Sequence, residues 1–271
     1  MKLSLRLVHL CRDRSCGALH WQRAVAILGL AVSLLACASE AVVQSTSTAQ
    51  PAGRLYRPEG NGPFPAIVLL PACGGLGGYV FAQAELLKAD GYVAFAVDTL
   101  SPRRATDLCL KGRHTVDDVA GDAFQALAYL RALPFVDRDR IGVMGWSHGA
   151  MAALTAISTQ PRSGAFQVAV AFYPDCAYFS GNTAIPVLLL LGERDDWTPP
   201  GECVKTAARL QQQGRAVIYK VYPGAHHGFD QFRSQTVTYR GYTLGYDPVA
   251  TADARASIRA FLVQHLRRSQ P

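Results

Sequence analysis

The stretch Ile141-Gly142-Val143-Met144-Gly145-Trp146-Ser147-His148-Gly149-Ala150 constrains this chain more than any other. Small and β-favouring residues lead into G-x-S-x-G, and an alanine-rich run, 150–157, follows it. That order predicts a buried strand, a sharp turn and a helix. The turn lifts Ser147 above the end of a sheet, Gly145 and Gly149 leave room for tightly folded backbone, and the helix N-terminus aims its N–H dipoles at developing negative charge. The five-residue motif also matches ordinary serine-containing turns, so the strand before it and the helix after it carry the reading.

The rest of the chain alternates in the same rhythm. Strands are expected at 54–57, 65–70, 92–97, 168–172, 187–191 and 217–221, with helices at 79–90, 199–213 and 248–266. Another helix opens on Thr115-Val116-Asp117-Asp118, a capping-box pattern, and places Val116, Val119, Ala123, Leu127 and Leu130 on one face. Continuous apolar strands between amphipathic helices predict an α/β fold with a mostly parallel sheet covered on both faces. With 271 residues and 49% hydrophobic content, the chain can bury one large core, assigned to a single domain over 53–271. Its net charge of +7 is partly a local matter: the first 37 residues hold five of the 27 basic groups and one of the 20 acidic ones, leaving 22 against 19. That balance gives no clustered basic face of the kind nucleic-acid binding requires.

Lys2, Arg6, Arg12, Arg14 and Arg23 precede an apolar run at 24–36 that is too short to span a bilayer. Residues 1–37 are therefore expected to be a signal peptide, followed by a polar tether over 38–52. Ala36-Cys37-Ala38 offers an A-x-A cleavage site, whereas Leu34-Leu35-Ala36-Cys37 is similar to a bacterial lipobox that would leave a lipid on Cys37. Either route exports the protein, to the periplasm or as an envelope-anchored lipoprotein, and a lipid on Cys37 is the only membrane attachment expected.

A serine nucleophile needs a base, and the base an orienting acid. After the strand at 187–191 comes Gly192-Glu193-Arg194-Asp195-Asp196-Trp197-Thr198-Pro199, in which Thr198 can cap a helix beginning at Pro199. Asp195 then lies nearer the strand end and is preferred as the acid, with Asp196 as its rival. Past the strand at 217–221 comes Ala225-His226-His227-Gly228-Phe229, where one of the two histidines should be the base.

With these segments in place, the chain resembles the dienelactone hydrolase family of the α/β-hydrolase superfamily. The matching residues are Cys73-Gly74-Gly75-Leu76, Ser101-Pro102-Arg103, Gly145-Trp146-Ser147-His148-Gly149, Asp195, His227-Gly228-Phe229 and Tyr246-Asp247-Pro248. The resemblance implies an α/β-hydrolase fold without a large lid and selects His227 as the base. It also assigns the backbone N–H groups of Cys73 and His148 to an oxyanion hole and brings Arg103 to a position that helps hold a substrate carboxylate. Members that open dienelactone use a cysteine nucleophile and a glutamate where this chain has Ala72, which argues against that substrate here. Trp146 and Trp197 are candidates for the wall of the substrate pocket.

The expected function is hydrolysis of small carboxylic esters or lactones through an acyl-enzyme, by a monomer. An exopeptidase of the same fold and a non-catalytic binding protein are the alternatives. No cofactor or metal is expected: H-E-x-x-H and C-x-x-C are absent, and the glycine-rich 74–78 lacks a phosphate-binding lysine. Cys73, Cys109, Cys176 and Cys203 remain beyond the leader, and four cysteines in an exported chain fit two disulfides. Strand-end positions favour Cys73 with Cys109 and Cys176 with Cys203.

Overall fold

Seven strands hydrogen-bond into one sheet in a computed structural model that describes residues 50–109, 114–160 and 165–266. In chain order the elements are β1 (Gly53–Tyr56), β2 (Phe64–Leu70), α1 (Gly78–Ala89), β3 (Val93–Val97), α2 (His114–Ala132), β4 (Val136–Trp146) and α3 (His148–Thr159). They continue with β5 (Ala169–Phe172), β6 (Val187–Gly192), α4 (Gly201–Gln212), β7 (Val217–Tyr222), a β8–β9 hairpin (Val237–Tyr239 and Tyr242–Leu244) and α5 (Pro248–Leu266). The sheet order is β1-β3-β2-β4-β5-β6-β7. Only β1, beside β3, runs antiparallel; the other pairs are parallel.

The alternation of side chains along β2 shows why the strands read as unbroken apolar runs. Ala66, Val68 and Leu70 face a core shared with α2, α3 and α4, whereas Ile67 and Leu69 face one shared with α1 and α5. Both faces are dry, so both sets must be apolar. Each fully buried Val, Leu or Ile contributes roughly 1.5–3 kcal/mol, enough together to order the chain around this sheet.

Strand order positions the site. The chain leaves β2 for β3 on one side and returns to place β4 on the other, so the direction of winding reverses between β2 and β4. Loops leaving adjacent parallel strands at such a reversal diverge and open a crevice at the carboxyl edge of the sheet. The segment after β2 and the turn after β4 flank that crevice.

Three local expectations are corrected. Helix α2 is described from His114, so Thr115 lies within it, and its hydroxyl meets the His148 ring at 2.9 Å. Helix α4 starts at Gly201 with Pro200 at its N-cap position, and the Thr198 hydroxyl lies 2.9 Å from Tyr173 O. The β8–β9 hairpin is an addition to the predicted elements. The expected signal peptide and residues 38–49 of the tether lie outside the described residues. Among the described residues no helix is long and apolar enough to cross a membrane.

Candidate active site

Ser147 occupies the turn between β4 and α3 with φ 50° and ψ −115°, a conformation an L-residue adopts only under constraint. Its N–H donates to Phe172 O at 2.9 Å, and its carbonyl accepts from Met151 N at 2.9 Å. The two motif glycines make the turn possible. A Cβ on Gly145 would strike the backbone of Gly149, and one on Gly149 would strike the carbonyl oxygens of Leu70 and Pro71. Gly149 thus lets α3 press against the end of β2, which brings the segment after β2 alongside Ser147. Helix α3 begins at His148, whose N–H is among those that intrahelical bonding leaves unpaired.

His227 and Asp195 complete a buried chain of contacts. His227 Nε2 lies 3.0 Å from Ser147 Oγ, and Nδ1 lies 2.8 Å from Asp195 Oδ2. A carboxylate can only accept, so Nδ1 carries the proton and Nε2 is free to accept the serine hydroxyl. The loops bearing the acid and the base are tied together: Glu193 N donates to Tyr222 O at 3.0 Å and Arg194 N to Ala225 O at 2.9 Å. Asp195 is further held by the N–H groups of Trp197 and Thr198, at 3.0 and 2.8 Å on Oδ1.

Thr198, expected only as a helix cap, supports this centre. Its hydroxyl lies 2.9 Å from Tyr173 O, 3.0 Å from Asp195 Oδ2 and 3.2 Å from His227 Nδ1. We expect Thr198→Val to lower the unfolding free energy by about 1–3 kcal/mol, because it strips buried acceptors of a donor, and turnover several-fold. Urea denaturation and steady-state rates measure the two effects. The rival residues point elsewhere. Asp196 accepts from Thr243 N and Oγ1 at 2.9 and 2.8 Å, anchoring the β8–β9 hairpin, and His226 Nδ1 meets Arg194 O at 3.0 Å.

Cys73 follows β2 in a turn closed by Gly75 N donating to Ala72 O at 2.8 Å. The Tyr79 hydroxyl straps this turn, accepting from Ala72 N at 2.8 Å and donating to Gly75 O at 3.3 Å. Cys73 is joined to Cys109 and Cys176 to Cys203, with Cα separations of 5.1 and 5.0 Å, in the expected pairing. Cys73, Cys109 and Asp107 cluster closely, but the sulfurs are bonded to each other and Asp107 accepts from Cys109 N, Tyr239 Oη and Arg240 Nη2, leaving no ligand set for a cation.

The His148 imidazole, next to the Ser147 turn, is pushed down to about 4 by burial, with the Arg103 cation adding to the shift. Below the ordinary value of 6.5 the unfolded chain takes up a proton that the folded chain refuses until about pH 4. This contribution to stability is therefore complete above pH 6.5 and drains away as pH falls toward 4. Thermal melts across that range should show a shallower acid slope for His148→Gln than for the parent; equal slopes would remove His148 as their cause.

A cavity of about 350 Å³ opens over Ser147, lined also by Cys73, Tyr79, Trp197, His227 and Arg233, with Tyr239 from the hairpin. Trp197 lies in the lining of this cavity and stacks on Tyr242 with ring centroids 4.9 Å apart. Trp146, the other candidate for that wall, is not in the lining: it is 0% exposed, donates Nε1 to Asp230 at 2.7 Å and stacks on Phe172. Arg103 is also displaced from its expected role. Its guanidinium forms a paired contact with Asp122 at 2.7 and 3.1 Å and caps Thr99 O, and it does not line this cavity.

Arg233 was missed by sequence reasoning. It enters the cavity from a polar segment after the His227 loop, where no periodicity marks it. Its Nη2 donates to Gln231 Oε1 at 3.0 Å, while its buried Nε has no hydrogen-bond partner. Gln231 in turn donates to Tyr173 Oη at 3.1 Å, and Tyr173 donates to Asp230 at 2.6 Å. Burial raises the Asp230 carboxyl above its ordinary value. Among the described residues no carboxylate forms an ion pair with Arg233.

A family model described as the dienelactone hydrolase family matches residues 52–266. A protein of Bradyrhizobium sp. called probable 2-oxo-3-(5-oxofuran-2-ylidene)propanoate lactonase is 29% identical over 233 residues, which cover 78% of this chain and 88% of the relative. Among solved structures, dienelactone hydrolase from Anabaena variabilis superposes with a TM-score of 0.62 at 20% identity, covering 79% of this chain and 92% of its own. A thermophilic esterase from Thermogutta terrifontis does so with a TM-score of 0.57 at 20% identity, covering 78% and 86%. At these identities the structural likeness establishes the fold.

Proposed function

Because the chain belongs to the dienelactone hydrolase family, we propose that it cleaves small carboxylic esters or lactones by serine catalysis. The observation that carries this reading is the continuous contact Ser147 Oγ–His227 Nε2–Asp195 at 3.0 and 2.8 Å, opening on a cavity. In the reaction, Nε2 takes the hydroxyl proton as Oγ attacks the carbonyl carbon, and Asp195 stabilises the resulting imidazolium. The N–H groups of Cys73 and His148 are assigned to the oxyanion. The imidazolium then returns the proton to the leaving oxygen, the ester C–O bond breaks, and water repeats the cycle to release the acid.

Arg233 supplies a reason to favour substrates that carry negative charge. A guanidinium lining a cavity, with no ion-pair partner among the described residues, is complementary to a carboxylate. The Bradyrhizobium relative's name specifies a propanoate, in keeping with this. Arg233→Gln is expected to lower kcat/KM for a carboxylate-bearing ester by about 10- to 100-fold and to spare its neutral analogue, the scale of a lost charged hydrogen bond. Equal losses on both esters would remove Arg233 from charge recognition. Two disulfides among the described residues support function in an oxidising, exported environment.

A fluorophosphonate probe tests the reading directly. Stoichiometric labelling of Ser147, abolished by Ser147→Ala, together with turnover of p-nitrophenyl esters, is the expected result. A correctly folded protein that neither labels nor turns over any ester would fit a binding protein instead.

A further inference from the structure

Ser147 also borders a second, smaller cavity. Its volume is about 120 Å³, and Leu108, Val116, Met151, Tyr178 and Trp197 line it. Ser147 and Trp197 belong to both cavities, so the nucleophile stands at the junction between them. His227 and Arg233 line only the larger one. From this juxtaposition we propose that the smaller cavity is the acyl subsite, and that it selects acyclic esters of short, uncharged acyl groups. The inference rests on the serine-hydrolase reading.

The direction of proton transfer decides which arm of the ester goes where. Once the tetrahedral intermediate forms at Ser147, its leaving oxygen must lie near the protonated His227 Nε2 to receive the proton as the C–O bond breaks. That places the alcohol arm in the larger cavity, on the side of Arg233. The remaining carbon substituent, the acyl chain, is directed to the smaller one.

The chemistry of the smaller cavity suits an apolar chain. Besides Ser147 and the Tyr178 phenol, the polar side chains at its edge are engaged with protein groups: the His148 ring contacts Thr115 Oγ1 at 2.9 Å, and the Thr198 hydroxyl contacts Tyr173 O and Asp195. No charged side chain of the described residues lines it. Allowing about 30 Å³ for each non-hydrogen atom, the volume a water takes in the liquid, the space of about 120 Å³ takes about four atoms beyond the carbonyl carbon. Propanoyl through pentanoyl chains fit, and octanoyl does not.

Met151, one helical turn beyond Ser147, gives the cleanest handle on the size of this space. The test measures kcat/KM, which reports acylation, for p-nitrophenyl acetate, butanoate and octanoate, and for butanoate esters of progressively larger alcohols. Wild type, Met151→Ala and Met151→Trp are compared, each normalised to its fluorophosphonate-titrated sites. One methylene too many for a fixed pocket costs about 10- to 200-fold. Wild type should therefore favour butanoate over octanoate by at least about tenfold. Met151→Ala should raise the octanoate-to-butanoate ratio about tenfold, and Met151→Trp should lower the butanoate-to-acetate ratio about as much, with alcohol preference unchanged in both. Variants that shift alcohol preference and leave acyl preference alone would overturn the assignment, as would acyl ratios that move in neither variant. Wild-type protein whose Ser147 is not labelled would instead overturn the parent reading, and this one with it.

Discussion

Replacing Ser147 or His227 by Ala is expected to lower ester turnover by on the order of 10³ or more, while His226→Ala stays within a few-fold of the parent. The contrast comes from two adjacent histidines with unrelated contacts. His227 bridges Ser147 Oγ and Asp195 Oδ2, whereas His226 leans on the carbonyl of Arg194. The neighbouring aspartates separate in the same way. Asp195→Asn removes the acceptor that holds the His227 tautomer, and an amide there can present its own N–H to Nδ1, so turnover should fall by a comparable factor. Asp196→Asn keeps one carbonyl oxygen for Thr243 and should cost little beyond a looser hairpin. Single-turnover rates with p-nitrophenyl acetate measure all five variants; a dead His226→Ala beside a live His227→Ala would reverse the assignment.

Removing the disulfides is expected to produce the largest change in stability. The bridges span 36 and 27 residues, loop lengths for which chain-entropy reasoning gives roughly 3–4 kcal/mol each. For a domain of this size either loss should lower Tm by on the order of 10 °C. The two bridges should differ in their effect on turnover. Cys73 lies in the turn assigned to the oxyanion, and its partner Cys109 follows Leu108, whose N–H donates to Cys73 O at 2.9 Å. Converting Cys73 and Cys109 to Ser together should therefore reduce kcat about tenfold in addition to lowering Tm. That loss is below the 10²–10³ of a deleted oxyanion donor, because Tyr79 still straps the turn. Converting Cys176 and Cys203 should lower Tm and leave kcat on p-nitrophenyl acetate within a few-fold. Calorimetry with parallel rate measurements checks both, and the opposite ranking of kcat would place the important brace on the Cys176 side.

Much of this was legible in the sequence because it depends on local rules. The strand-turn-helix around Ser147 followed from apolar residues, two obligatory glycines and an alanine-rich run, all within about twenty positions. Sheet strands were recognisable because burial on both faces demands uninterrupted apolar residues, as in β2 and β6. Asp195 and His227 were reachable because each follows the end of a strand. The cysteine pairing followed from the same edge of the sheet. The resemblance then separated His227 from His226, which propensity alone leaves equivalent.

What only the tertiary structure decided are relations between segments that no local pattern encodes. Thr198 looked like a helix cap by its neighbours, yet the approach of Tyr173 and His227 brings its hydroxyl within hydrogen-bond distance of both. Arg103 was expected to help hold a substrate carboxylate, but folding brings Asp122, nineteen residues away, into a paired contact with it. Arg233 carries no motif and stands in an irregular segment, and only the fold brings it to the cavity beside the hairpin residues Val237, Thr238 and Tyr239. Trp146 adjoins Ser147 in sequence, but alternation along β4 turns its ring away from the cavity into the core. Periodicity and turn chemistry act over a few residues and are written directly in the chain. The partner of a charged or hydroxyl side chain, and the cavity it faces, are set by which distant segments the sheet order brings together.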